Sequence, residues 1–326
     1  MNNSGKKFKL PLLSRELKEV EKNEDTTPNI KYYFKSFGRR FSKMISINLM
    51  MLFIIIPIAA AIFAYFLLMP RMFVFTDTMF PALNGINMIS DTPTIDVLLN
   101  VVGNSMDVTT VTMGAGTIII AICALFLFIT FGWQNLASTY LARELFRGRS
   151  LFPFSDYFYA IKKNLKQGFI MGAIDFMISA ILVFDFIYFY NQPAELVSNL
   201  MFWGICGVSI IYIWMRYYIY LLLVTFDLPI KKIFKNALIF TALGIKRNIV
   251  ASIWLLLVGG LNIALGLALL PANFVIFLIL PFFYFLGFAQ YTIVFAAYPT
   301  VNKYMIEPYY DEYGNPRTES NEQVTE

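Results

Sequence analysis

Two charges in this chain sit where charge is expensive. Asp175 and Arg216 each fall inside a long apolar run. A charged side chain at the centre of a bilayer costs at least ~2.5 kcal/mol on insertion scales, so each calls for a partner or for water. Asp175 lies seven residues past the start of its run and Arg216 ten before the end of the next. At a helical rise of 1.5 Å per residue their depths differ by about 5 Å, within reach of an arginine side chain. An ion pair is therefore expected between them. Two roles suit it, a clamp that fixes helix register or a midplane site for a small solute such as a sugar. The clamp is preferred, because buried pairs serve as registry devices. Asp185, further along the same run, reads as solvated. Gln134, Asn135, Asn262 and Gln290 read as hydrogen-bonding amides between helices.

Other chemistry is excluded by what the chain lacks. There is no histidine among its 326 residues, which removes Ser-His-Asp and Cys-His nucleophile systems, histidine metal sites and histidine pH switches. Cys123 and Cys206 both lie in apolar runs and read as packing residues. No G-x-S-x-G, Walker A or cysteine-rich metal spacing occurs, so neither an enzyme nor a bound cofactor or metal is expected.

The second group with chemical potential is cationic. Arg143, Arg147, Arg149, Lys162, Lys163 and Lys166 crowd residues 138–167, and Lys231, Lys232 and Lys235 open a similar stretch at 227–248. These side chains suit contact with anionic lipid headgroups or a partner protein; they serve equally well as plain topology determinants. Nucleic-acid binding is not the reading of the net charge of +5.

What must position these groups is a membrane domain. The chain is 58% hydrophobic and 14% charged, with a mean hydropathy of +0.62, and apolar runs near the length of about 20 residues that a bilayer requires recur along it. The expected fold is all-α, a polytopic transmembrane helical bundle of six spans at about 46–68, 116–137, 168–190, 199–226, 249–270 and 274–297. Residues 1–29 and 298–326 read as cytosolic tails, the first without a cleavable signal. Residues 70–115 read as an outer loop with a short helix after Thr92-Pro93, and 271–273 as a tight outer turn.

Orientation follows from the cations. Of the 26 lysines and arginines, 11 lie in residues 1–45, 6 in 138–167, 5 in 227–248 and 2 in the last tail, leaving Arg71 and Arg216. Both termini are accordingly expected in the cytosol. Residues 30–43 place aromatics Tyr33, Phe34, Phe37 and Phe41 at helical spacing with Lys31, Lys35, Arg39, Arg40 and Lys43 elsewhere on the wheel, the pattern of an interfacial helix.

Residues 161–165 (IKKNL) are echoed at 245–249 (IKRNI), with a looser copy at 37–41 (FGRRF). Three basic interfacial helices, each leading a transmembrane hairpin, would generate the echo; so would biased composition, and both readings stay open. Gly168 and Gly172 form a GxxxG spacing for close helix packing, and Trp214, Tyr217, Tyr218 and Tyr220 read as packing and interface anchors.

Taken in order, Asn48 and Pro57, Tyr140 with Arg143, Arg147-Gly148, Asp156 and Phe158, Lys163-Asn164, Lys166-Gln167, Phe226-Asp227, and Lys231, Lys232 with Lys235-Asn236-Ala237 resemble the YesL family of bacterial integral membrane proteins. The resemblance covers most of the chain outside the tails, and the long outer loop departs from the family's compact pattern. It implies a bacterial plasma-membrane protein associated with carbohydrate importers of the ABC type, and it carries no catalytic residues. The expected function is a non-enzymatic accessory or regulatory component of carbohydrate uptake; the alternative is a small-molecule permease working through Asp175 and Arg216.

Overall fold

Helices carry the fold. The computed structural model describes residues 28–68, 71–75, 86, 89, 106–110, 114–149, 151–193, 195–269 and 274–309. The tails at 1–27 and 310–326, the helix expected after Thr92-Pro93 and the turn at 271–273 lie outside these residues. The chain divides into two compact units, Met1–Ile55 with Phe128–Glu326, and Ile56–Leu127.

The helices in order are α1 (Ile30–Met50), α2 (Leu52–Phe63), α3 (Ala115–Phe146), α4 (Pro153–Lys163), α5 (Leu165–Tyr190), α6 (Leu196–Thr225), α7 (Ile230–Leu243), α8 (Ile245–Leu269) and α9 (Phe274–Val301), with π-helical turns closing α2 and α9. Four of them, α3, α5, α6 and the Ile245–Ala268 part of α8, are long and apolar enough to cross a membrane. Their large apolar side chains point away from the protein: Phe184, Trp203 and Leu256 are 67%, 70% and 74% exposed. Such surfaces are covered by lipid rather than water.

The smaller unit contains the only strands among the described residues. β1 (Arg71–Phe75) pairs antiparallel with β2 (Met106–Thr110), Arg71 opposite Thr110 and Phe75 opposite Met106. The segment read as loop is thus pinned at both of its ends.

Local chemistry sets the helix ends in the larger unit. Asn29 caps α1 by accepting from the Tyr32 amide at 2.8 Å. Gly148, at φ 72°, closes α3 in the left-handed conformation that glycine tolerates. Pro153 opens α4, whose Asp156 carboxylate accepts from the Phe152 amide at 2.9 Å. α6 stops at the extended Phe226 just before Asp227-Leu228-Pro229, and α7 starts directly after that proline.

Residues 30–43 depart from the interfacial expectation. They run on into residue 50 as one helix, with Tyr33, Ser36, Arg40, Met44 and Ile47 buried at spacings of three and four. That stripe faces α9, where Tyr33 shares a hydrogen bond with Thr292 at 2.8 Å, Tyr291 donates to Ser36 at 2.7 Å and the Gly287 amide donates to Asn48 at 3.0 Å. Arg40, expected on the exposed face, is 2% exposed. Its guanidinium donates to the Leu145 carbonyl in the last turn of α3, which also accepts from the Gly148 amide. At the other end of the chain α9 continues to Val301, past the limit of 297 expected for the last span.

α4–α5–α6 and α7–α8–α9 share a plan, a short amphipathic helix, a break, then two long helices. The breaks fall at Asn164 and Gly244. The five-residue echo does not follow that plan. Residues 161–165 straddle the first break, whereas 245–249 lie wholly within the first turns of α8.

Candidate functional site

The α3–α5 crossing brings the first pieces together. A Cβ on Gly132 would run into the backbone of Gly168 and Gly172, so only glycine lets these helices meet so closely. The partner of the GxxxG spacing is therefore Gly132 of the same chain. Trp133 braces the crossing by donating its indole N–H to the Leu165 carbonyl at 2.8 Å. Two residues before Trp133, the Phe131 ring centroid lies 5.4 Å from the Arg216 guanidinium carbon, a cation–π contact.

α6 supplies the rest from positions 212, 216 and 220, a spacing of four that aligns side chains on one helical face. Arg216 Nε lies 2.9 Å from Asp175 Oδ1 and 3.1 Å from Oδ2. Tyr212 donates its hydroxyl to Oδ1 at 2.7 Å, and Tyr220 donates to Oδ2 at 2.6 Å. Asp175 is completely buried, while the Arg216 side chain is 30% exposed. The carboxylate thus receives three donors in a site closed to solvent, the condition under which a buried ion pair offsets its desolvation.

Tyr212 has no place in the sequence reading, and Tyr220 is read there as an anchor. The signal for both is their position one turn either side of Arg216. The other aromatics of that run go elsewhere. Trp214 donates to Ser252 at 2.9 Å, Tyr217 shares a hydrogen bond with Ser252 at 3.2 Å and Tyr218 donates to Asn248 at 2.9 Å, joining α6 to α8. The amides form no extension of the Asp175 site. Gln134 donates to Thr130 and Asn135 to the Phe131 carbonyl within α3, whereas Asn262 donates to the Val258 carbonyl of its own helix and accepts from the Tyr284 hydroxyl of α9 at 2.9 Å, the interhelical role expected of it. Asp185 is half-buried.

A second charged cluster closes the end of α3. Arg143, grouped from sequence with the lipid- or partner-facing cations, is 7% exposed and turned inward. Its Nη1 donates to the Val224 carbonyl at 2.6 Å and to Thr225 at 3.2 Å, while Nε and Nη2 donate to Glu144 Oε1 at 3.1 and 2.7 Å. Arg149 donates to the other oxygen, Oε2, at 2.9 Å. Both arginines are committed to the fold because they satisfy a buried carboxylate, and Arg143 also satisfies the Val224 carbonyl at the end of α6. Arg147 is half-buried.

The lysines behave differently. Lys162, Lys163, Lys166, Lys231, Lys232 and Lys235 are all exposed. α4 buries Tyr157 and Ala160, and α7 buries Ile233, Ala237, Phe240 and Thr241, so their lysines lie away from the buried residues, and Lys166 falls in the first turn of α5. Partial burial, with Arg143 nearby, lowers the Lys163 ammonium below its ordinary range, against the pull of Asp227 and Glu144. Among the described residues no group of three or more histidine, cysteine or acidic side chains is placed to hold a metal ion.

No protein-family model, curated protein or solved structure matches this chain.

Proposed function

We propose that this chain is a non-enzymatic accessory or regulatory protein of a bacterial plasma membrane, acting in carbohydrate uptake as its YesL resemblance implies. In this reading the α1–α2 and α9 segments complete six spans, both termini are cytosolic, and the lysine faces of α4 and α7 contact anionic headgroups and dock a partner, an ABC-type importer. The observation that carries the docking is the division of labour among the cations. Arg143 and Arg149 at the end of α3 are absorbed by the fold, whereas five lysines on α4 and α7, with Lys166 at the start of α5, remain free to meet something else.

The Asp175–Arg216 pair supports a clamp in preference to a permease. A transport site needs a carboxylate that water or solute reaches, and Asp175 is fully buried with its oxygens occupied.

The test is recovery of stoichiometric partners by gentle detergent purification from the native membrane, comparing wild type with a Lys163→Gln/Lys231→Gln/Lys232→Gln variant. Recovery of an importer subunit with wild type and its loss in the variant, at unchanged orientation, is expected. Equal recovery from a correctly inserted variant removes the docking role.

A further inference from the structure

Among the described residues three arginines within helices, Arg40, Arg143 and Arg216, are partly or wholly buried, and they spend their nitrogens differently. Arg143 gives both terminal nitrogens to protein acceptors, and Arg40 gives Nη1 to the Leu145 carbonyl and to Ser36. Arg216 meets Asp175 through Nε, and no described residue accepts from its Nη1 or Nη2. The difference is imposed from the carboxylate side. Tyr212 and Tyr220 each occupy one oxygen of Asp175, so the arginine meets the carboxylate through Nε and its two amino nitrogens are left over. Phe131 flanks the guanidinium and limits its rotation. The Arg216 side chain is 30% exposed, against none for Asp175. It stands nine residues, about 14 Å, short of the end of α6, among apolar residues.

We propose that the amino fork of Arg216 is a binding site for an oxyanion, a carboxylate or phosphate group held by two parallel N–H···O bonds. Guanidinium is the group whose geometry matches such anions bidentately. In an apolar layer two free charged donors seek acceptors strongly. The carboxylate partner leaves them available because two neutral hydroxyls share its lone pairs. The anion has two sources, the headgroup of an anionic lipid or a small soluble anion. The site stands independently of the docking role, because it uses none of the exposed lysines.

The experiment uses the full chain in phosphatidylcholine nanodiscs and follows its thermal midpoint. One arm adds inorganic phosphate or acetate at constant ionic strength; the other replaces part of the lipid with phosphatidylglycerol. The informative variant is Arg216→Lys, which keeps a cation for Asp175 but consumes it there and removes the fork. An Asp175→Asn/Arg216→Gln double variant provides a neutral control that leaves no charge unpaired. Wild type is expected to gain several degrees saturably, and both variants none. Saturation by soluble anion assigns a small solute, and a rise confined to phosphatidylglycerol assigns a lipid. No rise in either arm, or an equal rise in Arg216→Lys, overturns the proposal.

Discussion

The Asp175 and Glu144 clusters are each built on one buried carboxylate, yet they are wired in opposite senses. Glu144 divides its two oxygens between two arginines, and Arg143 bridges onward to the end of α6. Cations outnumber the anion, and the spare donors close helix carbonyls. Asp175 instead meets one arginine and two tyrosine hydroxyls, so acceptors are scarce and the Arg216 amino nitrogens find none among the described residues. The first arrangement locks a junction. The second fixes helix register while leaving charge unspent, which is how a structural clamp also becomes a place where a ligand binds.

The largest effect expected from breaking this comparison belongs to Asp175→Ala. It strands a half-buried cation and two buried hydroxyls, and a loss of about 3 kcal/mol is expected in reversible denaturant unfolding. The charge-swapped Asp175→Arg/Arg216→Asp variant should recover part of that loss; an Asp175→Ala protein as stable as wild type would show that the pair clamps nothing. Glu144→Gln should cost less, about 2 kcal/mol, because Arg143 keeps the Val224 carbonyl and Thr225. If the two substitutions cost the same, the distinction between the clusters loses its energetic meaning.

Tyr220→Phe should cost about 1.5 kcal/mol by deleting one hydrogen bond to a charged acceptor. Tyr157→Phe is its internal contrast. That hydroxyl is buried with no partner among the described residues, and burial raises the phenol above its ordinary range. Its removal should be neutral or stabilising by about 0.5 kcal/mol in the same unfolding experiment. The smallest effect is expected from Lys163→Gln, within about 0.5 kcal/mol, since the side chain is exposed. A larger loss would mean that the lysine belongs with the arginines of the α3 end.

How much of this is legible in the sequence depends on what each residue type can be confused with. Asp175 and Arg216 stand out because a charge in an apolar run has few inexpensive explanations. Tyr212 and Tyr220 do not, since tyrosine in a span is ordinarily an interface anchor. Arg40 and Arg143 occupy positions where the distribution of cations already accounts for a basic residue. Nothing local distinguishes an arginine that reaches headgroups from one that caps a distant carbonyl. The helical character and the apolar spans follow from periodicity and composition, whereas the pairing of β1 with β2 joins segments more than 30 residues apart and leaves no local trace.

The packing of α1 along α9 has a consequence for how the protein is made. The first described helix leaves the ribosome with tyrosine, serine and asparagine side chains on the stripe that Thr292, Tyr291 and Gly287 will later cover. Until some 240 further residues have been synthesised, that stripe has no mate. A chain released early would carry its incompleteness as a visible polar seam, which membrane proteases can read. The same antiparallel contact sets the start of α1 beside the end of α9. A short linker joining those ends, with new termini opened elsewhere, would let the two helices be translated in immediate succession and abolish the wait.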